Sequence, residues 1–161
     1  MNKSKSRVGG FVLGLIIVLL PLIGGMVSSM MSRGQMILFA DMNKPPLAPP
    51  AWLFPIAWSI LYILMGIALL LMIRSHHEYK VGAICLFISQ LLMNYIWTPV
   101  FFGNGQYWTA FVILMLMWLS TIICAIIARK VDIRATLCLI PLILWETFAA
   151  YLNAGVAILN Y

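Results

Sequence analysis

Apolar residues run along this chain in five long blocks, at about 8–31, 50–73, 79–102, 107–128 and 135–158. Each is close to the length of about 20 residues that an α-helix needs to cross the hydrocarbon core of a bilayer. Polar residues collect in the breaks. The longest break is 32–49, and the others are a few residues each. The pattern predicts an all-α integral membrane protein, a bundle of five transmembrane helices forming one domain over 1–161. It leaves no room for a soluble catalytic domain, so any site lies among the helices or under the 32–49 loop. The opening "MNKSKSR" ahead of an apolar run has the look of a signal peptide. The run continues past Pro21 to about Met31, however, and "VSS" at 27–29 is a poor cleavage site, so a retained first span is expected.

Inside lipid, large apolar residues do not reveal which way a helix faces, whereas polar groups mark interiors. In the third span Gln90, Asn94, Trp97, Thr98 and Phe101 share one helical stripe. Pro55, Trp58, Tyr62 and Met65 form a stripe on the second span. Trp145, Phe148, Ala149, Leu152 and Asn153 form one on the fifth, and Leu114, Trp118 and Thr121 one on the fourth. Aromatics beside sparse hydrogen-bonding groups line small-molecule pockets. The same residues also suit a packed core, with Asn94 and Gln90 bonding between helices. Trp52, Tyr107, Trp108 and Tyr161 sit near span ends, where aromatic belts form. Glu146 is the acidic residue well inside a span. It lies about 100° round the helix from Trp145, and a hydrogen-bonded carboxyl between helices is expected there. Gly10 with Gly14, Gly24 with Ser28 and Gly25 with Ser29 allow close helix contact, within the chain or in a dimer.

Composition agrees: 64% of residues are hydrophobic and 9% charged, far from the surface polarity of a soluble domain. Charge adds orientation. With the N-terminus in the cytoplasm, inside segments hold Lys3, Lys5, Arg7, Arg74, Lys80, Arg129, Lys130 and Arg134. Outside segments hold Arg33 and Lys44, a positive-inside bias that puts the C-terminus outside. The net charge of +6 thus reports topology and contact with the bilayer. Nucleic-acid binding, which needs a basic soluble face, is not expected. Cys85, Cys124 and Cys138 lie within spans without metal spacing and read as small core residues. His76-His77-Glu78 reads as a solvated turn, and no metal is expected.

Proline is concentrated in "NKPPLAPPAWLFPIAW" at 43–58. Its fixed φ and missing N–H suit the first turn of a helix and push the preceding residue extended. Pro45 and Pro46 are therefore expected to hold the loop extended, and Pro49 and Pro50 to start the second helix. Pro55 is expected in its first turn or two. The segment reads as a stiff lid over a pocket whose wall begins at Phe54 and Trp58.

Three segments together carry a family resemblance: "MNKPPLAPPAWLFPIAWSILYILMG" (42–66), "QLLMNYIWTPVFFG" (90–103) and "PLILWETFAAYLN" (141–153). In order and spacing they resemble the translocator protein family, called TspO or tryptophan-rich sensory protein in bacteria and peripheral benzodiazepine receptor in animals. The resemblance implies a five-helix bundle, commonly a homodimer, in a bacterial cell membrane. It implies binding of tetrapyrroles such as protoporphyrin IX and haem, and of benzodiazepine-type ligands, in a pocket under the long loop. It implies a tetrapyrrole as ligand and no required cofactor. Carried over position by position, it points to Trp58, Tyr62, Asn94, Thr98 and Phe101. It points further to Leu114, Trp118, Trp145 and Ala149, with Phe39, Pro49 and Phe54 from the loop region. The chain departs from the family pattern at Leu38-Phe39 and Leu47, where aromatics are common. No basic residue follows Arg134, so the animal cholesterol motif is missing.

The function expected is that of a membrane receptor or sensor for tetrapyrroles, in porphyrin metabolism or stress response. The alternatives are a light-dependent porphyrin-degrading enzyme and a tetrapyrrole transporter. Neither an acid–base pair nor a nucleophile with its base is visible, but light-driven loss of a porphyrin needs none; the missing loop aromatics are what favour a binder over an enzyme. The five spans show no obvious repeat of the kind many transporters carry.

Overall fold

The computed structural model describes residues 2–31 and 42–160, with side chains from Gly9 onward. Five long helices account for most of it: α1 (Asn2–Met30), α2 (Leu53–Arg74), α3 (Lys80–Thr98), α4 (Tyr107–Val131) and α5 (Ile133–Leu159). All five are long and apolar enough to cross a membrane. These helices overlap the five apolar blocks of the sequence, with ends a few residues apart, except that α1 is helical from Asn2. Successive helices reverse direction, and they pack in the ring order α1, α2, α5, α4, α3, with α3 returning to α1.

The third span does not end as a plain α-helix. Pro99 cannot donate a backbone hydrogen bond, and Pro99–Gly103 widens into a π-turn. There the Asn104 N–H donates to the Pro99 carbonyl at 3.1 Å. The widened turn lets adjacent Phe101 and Phe102 both be buried.

Gly24, Gly25 and Ser28 of α1 serve contacts within the chain. A Cβ on Gly24 would collide with the Tyr95 ring, and one on Gly25 with the Tyr62 ring. Ser28 donates to the Tyr95 carbonyl at 2.6 Å, and the Tyr95 hydroxyl to the Pro21 carbonyl at 2.9 Å. α1 and α2 cross closely where Gly66 meets the Val18 backbone. Gly10 faces open space.

The proline segment differs from the expectation. Pro45 and Pro46 do not run extended. The Ala48 N–H donates to the Pro45 carbonyl at 3.3 Å, closing a turn with Leu47 at φ 67°. Pro46 sets the first corner of such a turn, and the second demands positive φ, a conformation that costs a non-glycine residue about 1–2 kcal/mol. Contacts to α5 hold it. Pro45 packs on Gly155, and the Tyr151 hydroxyl donates to the Pro46 carbonyl at 2.7 Å. The Asn160 amide donates to the Asn43 carbonyl at 2.7 Å and accepts from the Asn43 N–H at 3.0 Å. Nor do Pro49 and Pro50 start α2. A turn in which the Leu53 N–H meets the Pro50 carbonyl at 3.0 Å comes first, and α2 opens at Leu53 with Pro55 in its first turn.

At the opposite end, Asp132 caps α5, accepting from the Arg134 N–H at 2.9 Å and pairing with its guanidinium at 2.9 Å. The hydrogen bonds from Arg134 hold the Asp132 carboxyl below its ordinary range.

Candidate ligand-binding site

A cavity of about 340 Å³ opens between the ends of α1, α2 and α3, at the lower edge of the size range for ligand pockets. Proline and small residues make the room for it. On α1, Gly25 and Ser29 carry little side chain and leave a notch, flanked by Leu22 and Met26. On α2, Phe54, Pro55, Trp58, Ser59 and Tyr62 recur on one face and form the second wall. The third wall comes from Trp97 and Thr98 at the end of α3 and Phe102 in the π-turn.

The walls are aromatic and braced from behind. The Trp58 and Tyr62 rings lie 5.5 Å apart. Trp145 on α5 meets Trp58 edge-on at 6.4 Å and Phe54 at 6.0 Å, so it fixes two wall residues without lining the cavity. Trp97 stacks on Phe101 at 5.2 Å and donates its indole N–H to Asn153 at 3.1 Å. The floor is polar at one point, where the Tyr62 hydroxyl donates to Asn94 Oδ1 at 2.5 Å. Such a surface suits a flat apolar molecule with polar edges.

The structure thus gathers Phe54, Trp58, Tyr62 and Thr98 around one space, with Asn94 beneath and Trp145 behind. It places the other expected residues elsewhere. Phe101, Leu114 and Ala149 are buried together in a closed cluster. Trp118 sits at the outer seam of α4 and α5, its indole donating to Thr147 at 2.9 Å. Pro49 lies half-buried ahead of α2, and Phe39 is outside the described residues. The wall from α1 was not expected at all. Its signal was present in the Gly25–Ser29 spacing, which reads equally as a helix contact.

Deeper in the bundle lie polar side chains of a different kind. Gln90, Asn94 and Glu146 are each 1% exposed or less. Glu146 bonds to Thr121 at 3.1 Å, a carboxyl held between helices as the sequence suggested. Four atoms there find no hydrogen-bond partner in the protein: both amide atoms of Gln90, Asn94 Nδ2 and Glu146 Oε2. A buried polar atom left unpaired costs about 1–3 kcal/mol. Among the described residues no group of His, Cys, Asp or Glu could hold a metal ion.

Comparison with known proteins settles the family. The model of the TspO/MBR family matches residues 17–159. This chain belongs to the TspO/MBR family. It is 36% identical over 124 residues to Protein CrtK of Rhodobacter capsulatus, covering 76% of this chain and 78% of that one. It is 35% identical over 123 residues to the tryptophan-rich sensory protein of Cereibacter sphaeroides, with 76% and 77% covered. To the translocator protein of Ovis aries it is 34% identical over 139 residues, with 84% and 82% covered. With five apolar helices, this TspO/MBR chain is an integral membrane protein.

Proposed function

We propose that the protein is a membrane receptor, sensor-like in role, whose ligand is a tetrapyrrole such as protoporphyrin IX or haem, bound between α1, α2 and α3. The observation that carries this reading is the cavity of about 340 Å³ with Trp58, Tyr62, Trp97 and Phe102 in its walls. A porphyrin is a flat ring with acidic edges. Its face stacks on such rings, while Thr98 and the Tyr62–Asn94 pair offer hydrogen bonds to its periphery. Family membership supports the reading, since relatives are named for sensing and translocation. The cavity lies at the end of the bundle away from Arg74, Lys80, Arg129, Lys130 and Arg134. By the positive-inside rule this end faces outward and the N-terminus lies in the cytoplasm.

Titration of the purified protein with protoporphyrin IX is expected to quench tryptophan fluorescence to a plateau. Five of the six tryptophans remain to report in Trp58→Leu. That variant is expected to bind at least ten-fold more weakly, about 1.4 kcal/mol. Trp118→Leu is expected to bind as the parent does. Equal affinity for Trp58→Leu and the parent would remove the ligand from this cavity.

A further inference from the structure

Gln90, Thr121 and Glu146 come from three different helices and lie at one depth in the bundle. Their level is fixed by neighbouring bonds. α3 and α5 run in the same direction, and Trp97 of one donates to Asn153 of the other at 3.1 Å. Seven residues is two helical turns. Gln90 stands seven before Trp97 and Glu146 seven before Asn153, so both share the level and the inward face of that bonded pair. α4 closes the third side. Ser120 donates to the Leu86 carbonyl at 3.3 Å, and Thr121 lies 3.1 Å from Glu146 Oε1. Asn94 lies one turn along from Gln90.

We propose that these side chains form an internal water-binding site within the membrane span, distinct from the ligand cavity and joined to its floor through Asn94 and Tyr62. Three observations lead there. Both amide atoms of Gln90, the amide nitrogen of Asn94 and one carboxyl oxygen of Glu146 lack any partner in the protein. The single hydroxyl proton of Thr121 is divided between the Met117 carbonyl at 2.9 Å and Glu146, so the carboxyl is short of donors. The unsatisfied set also mixes kinds: amide N–H groups that can only donate, and oxygens that accept. A metal cation would be repelled by the amide hydrogens and would need more oxygens than converge here. Water donates and accepts, and buried water typically makes about three bonds to groups otherwise unsatisfied. The site does not rest on the tetrapyrrole reading, and each can fail alone.

The test uses the full chain in bilayers with labelled side-chain amides, following magnetisation transfer from water by solid-state NMR. Gln90, although 1% exposed, is expected to receive water magnetisation at a rate within a few-fold of exposed Gln106. Glu146→Gln keeps the polar set and is expected to keep the transfer. Glu146→Leu is expected to reduce it several-fold at Gln90. Should that variant not fold, the parent and Glu146→Gln still decide. No transfer to Gln90 in the parent overturns the proposal. So does transfer that Glu146→Leu leaves unchanged, because the water then belongs to the cavity. Gln90 signals that shift when sodium is replaced by choline would make the ligand a cation and overturn it too.

Discussion

The two sides of the bundle use the same residue types to opposite ends. Where α1, α2 and α3 meet, tryptophan and phenylalanine stand around a space. Where the end of the third span meets α4 and α5, Phe101 is buried among leucine, alanine and valine. Trp58 and Trp97 line the cavity. Leu114, Ala149 and Val156 close into a cluster with Phe101, and Trp118 bonds outward to Thr147. The difference comes from the small residues between the large ones. Gly25 and Ser29 put little side chain into the gap, whereas α4 buries Ala110, Ala125 and Ala128 in its packed face. Aromatic content therefore does not locate a pocket in a membrane bundle. The notch opposite the aromatics does.

The largest expected effect falls on the closed side. Leu114→Ala leaves a hole in the Phe101 cluster and is expected to lower thermal stability in detergent by about 2 kcal/mol, the low end for a buried leucine. Lipid or detergent rather than water is the alternative solvent here, so packing loss supplies most of it. Protoporphyrin affinity of the folded fraction should not move. A matching loss of affinity would mean that the cluster sets the wall formed by Trp97 and Phe102, which belong to both.

Next comes filling the notch. Ser29→Phe is expected to weaken protoporphyrin binding at least ten-fold, about 1.4 kcal/mol. Its melting temperature should change little, because the added ring enters existing space. Unaltered affinity would sink the claim that α1 forms a wall.

The smallest effect is at the outer seam. Thr147→Val removes the acceptor of the Trp118 indole. It is expected to cost about 0.6 kcal/mol, as polar contacts between membrane helices do, with ligand titration curves superimposable on the parent's. A weakening of ligand binding would draw Trp118 into the site.

Much of this architecture is legible in the sequence, because five apolar runs need five crossings. The inward stripe of α3 is legible too: Gln90, Asn94, Trp97 and Phe101 are all buried. What periodicity cannot supply is which stripes face the same space. Leu114 and Trp118 are one turn apart, yet one is core and the other turns to the seam. The turn at Pro45–Ala48 was hidden for another reason. It is held by Tyr151, Gly155 and Asn160, more than a hundred residues away in sequence, and local proline chemistry alone points to an extended strand. Glu146 shows the reverse case. Its angle from Trp145 set it apart from the cavity wall, and that same angle aims it at Thr121.

The clasp between Asn43 and Asn160 has a practical side. It joins a side chain at the end of α5 to the backbone at the start of the segment that leads into the cavity. A change of residue at 160 therefore acts on that segment without touching the ligand, so a loss of binding there would not by itself make Asn160 a lining residue.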